Sequence, residues 1–242
     1  MADKTMGFAR RVVVITGATG GLGRVVAHSL AKTGARLVLV SSSAEKLEIL
    51  GGELNLAEER TLSIAVDLSQ PKAAQSVLDA VVAKFGRADV LLHFVGGWMG
   101  GKPVPKVAAE DVSTMLQQHL WTTFYLAQVF GPHLAANGWG RLIIVSSPSV
   151  SAPPANGAPY AIGKSAQEAL MLTLAEEFKG TGVTANVLRV RSIDVKHERD
   201  NQLSPKTASW TTPEEIAAAI LYLCSGEAGM VNGARIPLYG SP

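Results

Sequence analysis

Residues 11–32 read RVVVITGATGGLGRVVAHSLAK, and this stretch decides the fold. The β-branched run at 11–15 suits a strand buried on both faces of a parallel sheet. Thr16-Gly17-Ala18-Thr19-Gly20-Gly21-Leu22-Gly23 follows at once, and 24–32 then reads as a helix stopped by Gly34. Strand, glycine turn and helix N-terminus together make an anion site. Glycine lets the backbone approach a pyrophosphate, and the unpaired N–H groups and helix dipole favour its charge. No lysine follows Gly23, which argues against a nucleoside-triphosphate loop.

Outward from that unit, strand-like apolar runs alternate with helical patterns. Further strands are expected at 36–40, 62–66, 90–94, 141–145, 183–188 and 234–237. Helices are expected at 73–85, with Val77, Val81 and Phe85 on one face, and at 165–178, closed by Gly180. A third starts at Thr212 as N-cap, with Pro213 in its first turn and Glu215 completing a capping box. The pattern predicts an α/β fold: one domain over 1–242, a doubly wound parallel sheet of about seven strands with helices on both faces. Right-handed crossovers bring the loops after each strand to the carboxyl edge, where ligands bind. Gly17–Gly23, Asp67, Gly96 and Ser147 then meet in one cleft.

The chemistry-bearing stretch is Tyr160-Ala161-Ile162-Gly163-Lys164, with Ser147 thirteen residues before the tyrosine. An ordinary phenol has a pKa of about 10 and is a poor base at neutral pH. Lys164 lies one helical turn on, on the same face, where its charge favours the phenolate. Tuning the phenol to about 7 takes roughly 4 kcal/mol of preferential phenolate stabilisation. There is no Gly-x-Ser-x-Gly elbow and no Cys/His cluster, which argues against a hydrolase or a metal site.

With these motifs in order, the chain resembles the short-chain dehydrogenase/reductase family over nearly its whole length. Asp67 after 62–66, the run Asp89-Val90-Leu91-Leu92 and the helix start at Thr212 fall at family positions. The resemblance implies NAD(P)(H)-dependent hydride transfer between a nicotinamide and a small carbonyl or secondary alcohol. Tyr160 is then the general acid/base, Ser147 the oxygen-polarising donor, and Lys164 the partner of the nicotinamide ribose. His119 stands where the family has a fourth catalytic residue, an asparagine. Cofactor contacts are expected from Gly17, Thr19, Gly21, Leu22, Gly23, Ser41, Ser42, Asp67, Leu68, Val95, Gly96, Tyr160, Lys164 and Ile193. The ribose-reading position is Ser41, not an acidic residue, which tilts the expectation towards NADP(H) over NAD(H). The resemblance also implies a homotetramer or dimer, and a substrate lid at about 191–211, with 201–210 covering the site. Trp98, Met99 and Trp210 are candidate apolar walls.

Departures from the family keep a second reading open, a non-catalytic dinucleotide-binding sensor or scaffold subunit on the same fold. His93-Phe94-Val95-Gly96 replaces the family's Asn-Asn-Ala-Gly, and Val190-Arg191 replaces its Pro-Gly. His93 reads either as a substitute for an amide donor or as a satisfied structural histidine. Arg191 either points into the cleft to bind an acidic substrate or pairs with Asp194 on the surface.

The bulk properties agree with a small-molecule enzyme. Of the 242 residues, 47% are apolar, enough for a core on both faces of a sheet. A net charge of +2 gives no footprint for nucleic acid or an anionic membrane. Asp3, Lys4 and Arg10 interrupt the N-terminal stretch, so no secretory peptide is expected. The single cysteine, Cys224, lies in an apolar run and suits a reducing cytoplasm.

Overall fold

The computed structural model describes residues 7–9, 11–202 and 204–239. Seven strands form one sheet: β1 (Val12–Thr16), β2 (Arg36–Ser41), β3 (Thr61–Ala65), β4 (Val90–His93), β5 (Gly140–Ser146), β6 (Val183–Arg189) and β7 (Arg235–Pro237). All pair in parallel, in the order β3-β2-β1-β4-β5-β6-β7. The order reverses between β1 and β4, and ligands of such sheets bind at that switch point.

Strict alternation in the strands builds two cores. Val13, Ile15, Leu37, Leu39, Leu92 and Leu188 face one side, against α1 (Gly21–Ala31), α2 (Ala44–Leu54) and α8 (Pro213–Leu223). Val12, Val14, Val38, Val40, Leu142 and Val187 face the other, against α3 (Ala73–Phe85), α5 (Thr122–Ala136) and α6 (Ala158–Glu177). Between α3 and α5 the chain forms α4 (Ala109–Leu116), which runs through a π-helical turn at Gln117–Trp121 into α5. The short α7 (Glu198–Asn201) follows β6. No described helix is long and apolar enough to cross a membrane.

Strand positions match expectation to within one residue, and α3 ends at Gly86 in a left-handed cap, φ 78°. The Thr212–Glu215 capping box is present in full. Two helix starts differ. α1 begins at Gly21, so the last glycines of the turn already form its first turn. α6 begins at Ala158, seven residues before the expected 165, because Pro159 sits in its first turn, where a missing N–H costs nothing. Tyr160 and Lys164 therefore both stand in its opening turns.

Candidate active site

Three adjoining spaces open at the carboxyl ends of the strands. The largest, about 520 Å³, runs from Gly17–Gly23 past Val95 and Gly96 to His119, Tyr160, Lys164 and Ile193. A second, about 470 Å³, shares Trp98, Tyr160 and Arg191 with it and adds Ser147. A third, about 320 Å³, is lined by Ser41, Ser42, Asp67 and Leu68, and shares Gly17, Val95 and Gly96 with the first. The expected residues are thus brought together, apart from Thr19. That residue lines none of these spaces, and its hydroxyl lies 2.8 Å from Ser41 Oγ. Met99 and Trp210 also line none of them, whereas Trp98 is 69% exposed at the junction of the first two.

The glycine turn has the chemistry of a phosphate cradle. Gly17 adopts φ +69°, and a Cβ at Gly23 would stand 2.3 Å from the Gly17 carbonyl oxygen, so both positions require glycine. The first turn of α1 has no side-chain cap and no acidic residue, leaving its N–H groups for an anion. Two buried polar atoms on residues lining the same cleft, Ser146 Oγ and His119 Nδ1, lack hydrogen-bond partners. These features fit a dinucleotide with its pyrophosphate at α1.

Lys164 is buried, and its Nζ donates to the Val145 carbonyl (2.7 Å) and to Gln167 Oε1 (2.9 Å). An ammonium has three donors, so one remains for the cleft. Burial pulls this lysine down to about 7, and the charge of Glu168 opposes the shift. The sequence reading missed this supporting set. Gln167 Nε2 donates to Thr123 Oγ1 (2.8 Å), while Glu168 forms a buried two-point ion pair with Arg189, Nε–Oε1 3.0 Å and Nη2–Oε2 2.5 Å. Their signal was present in part: Gln167 and Glu168 lie three and four residues after Lys164, on its helical face.

The phenol of Tyr160 needs a correction. Burial raises it above its ordinary value, and the Ser147 hydroxyl offsets this only in part. The expected depression by Lys164 is not found: the one lowering influence on the phenol is the Ser147 hydroxyl. Ser147, not Ser146, stands beside the tyrosine in the second space. Its Oγ accepts from the Ser149 N–H at 3.2 Å.

His119 lies in the π-helical turn, its ring edge-on to Tyr160 with centroids 5.5 Å apart. Nε2 is 3.0 Å from the Gly97 carbonyl, which only accepts, so Nε2 carries the proton and Nδ1 presents a lone pair. Burial, and then the charge of Lys164, lower this ring to about 3, so it is neutral at physiological pH. His93 is a satisfied structural histidine. Its Nε2 donates to Thr122 Oγ1 (3.1 Å), whose own proton goes to the Gln118 carbonyl, and its Nδ1 accepts from Thr16 Oγ1 (2.6 Å). The ring ties β1 and β4 to α5.

Asp67 turns inward on its own loop, accepting from Ser69 N (2.9 Å), Ser69 Oγ (2.8 Å) and Gln70 Nε2 (3.3 Å). These bonds, led by the Ser69 backbone, hold its carboxyl below the usual range. The alternative in which Arg191 pairs with Asp194 is overturned. Asp194 accepts from the Glu198 and Arg199 N–H groups, both at 2.8 Å, and caps α7. The 191–211 segment is stapled at its base by a bridge between Ile193 and Thr211.

Comparison with known proteins agrees with this geometry. The family model described as short chain dehydrogenase matches residues 11–204. The chain is similar to D-threitol dehydrogenase of Mycolicibacterium smegmatis, 28% identical over 95% of this chain and 92% of that one. It is similar also to 1,6-dihydroxycyclohexa-2,4-diene-1-carboxylate dehydrogenase of Pseudomonas putida, 28% identical over 96% and 93%. Among solved structures, a short chain dehydrogenase from Bacillus anthracis superposes with a TM-score of 0.85 at 27% identity, covering 97% of this chain and 95% of that one. The chain belongs to the short-chain dehydrogenase/reductase family of alcohol and carbonyl oxidoreductases.

Proposed function

We propose that this protein catalyses reversible hydride transfer between a nicotinamide dinucleotide and a small carbonyl or secondary-alcohol substrate. The observation that carries the reading is the position of Tyr160. It borders both the space that holds Ser147 and the cleft that runs from Lys164 to the glycine turn. In the reducing direction the phenol, whose burial favours the protonated form, donates its proton to the substrate oxygen as negative charge develops there. The Ser147 hydroxyl donates a hydrogen bond to the same oxygen and polarises the carbonyl. The remaining N–H of Lys164 is directed to the nicotinamide ribose, with Gln167 and Val145 fixing the ammonium. The cofactor supplies the hydride when bound. The 191–211 segment acts as a lid over the substrate.

The same reading keeps NADP(H) ahead of NAD(H). Its support is the hydroxyl at Ser41 in place of a carboxylate that would repel a 2′-phosphate. No lysine or arginine lines the third space to grip one, so the preference is expected to be small.

The test is calorimetric titration of cofactor-stripped protein with NADPH and with NADH, for the wild type and Tyr160→Phe, alongside turnover on a carbonyl panel. Dinucleotide affinity is expected to persist in the variant while turnover drops by about 100- to 10,000-fold. Retained turnover in Tyr160→Phe, or no dinucleotide binding by the wild type, would overturn the assignment.

A further inference from the structure

The geometry points to Arg191 as an anion-binding residue that selects substrates carrying a carboxylate on a compact apolar body. This deepens the hydride-transfer reading and rests on it. Arg191 is exposed, two residues past the end of β6, and it lines both the space with Ser147 and Tyr160 and the adjoining dinucleotide cleft. No ion pair among the described residues involves it. The carboxylate nearest in sequence, Asp194, is committed to the cap of α7. The guanidinium instead stands 5.8 Å from the centroid of the Tyr239 ring, a cation–π contact, and among the described residues no hydrogen-bond acceptor takes its N–H fork.

The surroundings give that fork a purpose. In the 470 Å³ space Arg191 is the single charged side chain among the lining residues. Its other walls include Trp98, Pro148, Pro154, Ala152 and Ala155, with Ser149 and Asn156 as neutral polar groups, a largely apolar, half-open space of metabolite size. Across the junction the first cleft adds Lys164 but no carboxylate. A carboxylate entering here meets a planar two-point donor and no protein carboxylate. A neutral substrate would leave the guanidinium partly desolvated without a partner, so the arrangement also selects against neutral analogues.

The dinucleotide's own phosphates are a second source of anionic oxygen, and the experiment separates the two. The probes are 4-oxocyclohexanecarboxylate and its methyl ester, titrated calorimetrically into protein saturated with NADP⁺ or NAD⁺, whichever binds tighter. In the wild type the acid is expected to bind about 10- to 100-fold more tightly than the ester, the range of a charge-assisted hydrogen bond. In Arg191→Met that ratio is expected to fall towards one, and in Arg191→Lys to be partly restored, since an ammonium keeps the charge and loses the fork. The dissociation constant of the dinucleotide is measured on the same variants. A loss there as large as the loss for the acid assigns Arg191 to the cofactor and overturns the proposal. Equal binding of acid and ester by the wild type, or binding of neither, also overturns it. Turnover of the two probes with the reduced dinucleotide is read separately. Equal turnover of both leaves hydride transfer standing and removes the carboxylate preference. Arg191-dependent binding of the acid without turnover upholds the site and counts against the hydride-transfer reading.

Discussion

The imidazole of His119 occupies room that two glycines leave for it, and the strength of that dependence can be measured. A Cβ at Gly96 would stand 2.5 Å from His119 Cε1 and 2.8 Å from Nδ1, whereas ordinary contact begins near 3.4 Å. The ring would have to move by about 1 Å to admit the methyl group. It has little freedom to do so. Nε2 is held by the Gly97 carbonyl at 3.0 Å, and on the far side the ring lies so close to Gly163 that a Cβ there would stand 3.1 Å from Cδ2. Gly96→Ala is therefore expected to cost about 1–3 kcal/mol in overpacking and about 1 kcal/mol more where the Gly97 bond breaks. The double variant Gly96→Ala/His119→Ala should recover much of that cost, giving a coupling energy of about 1–3 kcal/mol. Any backbone cost at position 96 is common to the single and double variants and cancels in the cycle. The assay is urea unfolding of the four proteins, with stability read from the midpoint at constant slope. Additivity within about 0.5 kcal/mol would refute the idea that Gly96 leaves the room His119 needs.

Breaking the buried Glu168–Arg189 pair with Glu168→Gln strands a guanidinium whose side chain is 11% exposed, and should destabilise the fold by about 3–5 kcal/mol. A loss below about 1 kcal/mol in thermal or urea unfolding would show that the pair is dispensable. Stability should also fall on acidification between 6.5 and about 3, because His93 and His119 are held neutral in the fold, each at about 3, and take up protons readily only when unfolded. The stability of the neutral rings is fully present above 6.5. His93→Gln should flatten that limb by up to one proton, about 1.4 kcal/mol per pH unit, and an unchanged slope would refute it.

The strands were legible in the sequence because short apolar runs, most of them rich in Val, Ile and Leu, recur between helical patterns, and they lie within a residue of expectation. The glycine turn and its cleft were legible because strand, turn and helix start are local. The start of α6 was not, since the prolines before Tyr160 read as a stiff loop until one of them is seen at the first turn. The π-helical turn carries no periodic signal. Around it Thr122 and Thr123 bond back to the carbonyls of Gln118 and His119, at 2.7 and 2.6 Å, which competes with regular helix geometry. The partners of the charged residues were the least readable. Glu168 meets Arg189 across 21 residues, and Gln167 meets Thr123 across 44, so the pairing is made by the fold. Asp194 has a neighbouring arginine in sequence and spends itself on backbone N–H groups instead.

The last strand has a consequence for how copies of this chain can meet. Leu238 N donates inward to the Arg189 carbonyl, so by alternation Ile236 also faces β6 and the amide positions of Arg235 and Pro237 face outward. Pro237 has no N–H, and Arg235 places a charged, exposed side chain beside it. A strand arriving from a second molecule would find neither a continuous row of donors nor a neutral surface to settle on. This edge is blunted against runaway β-pairing.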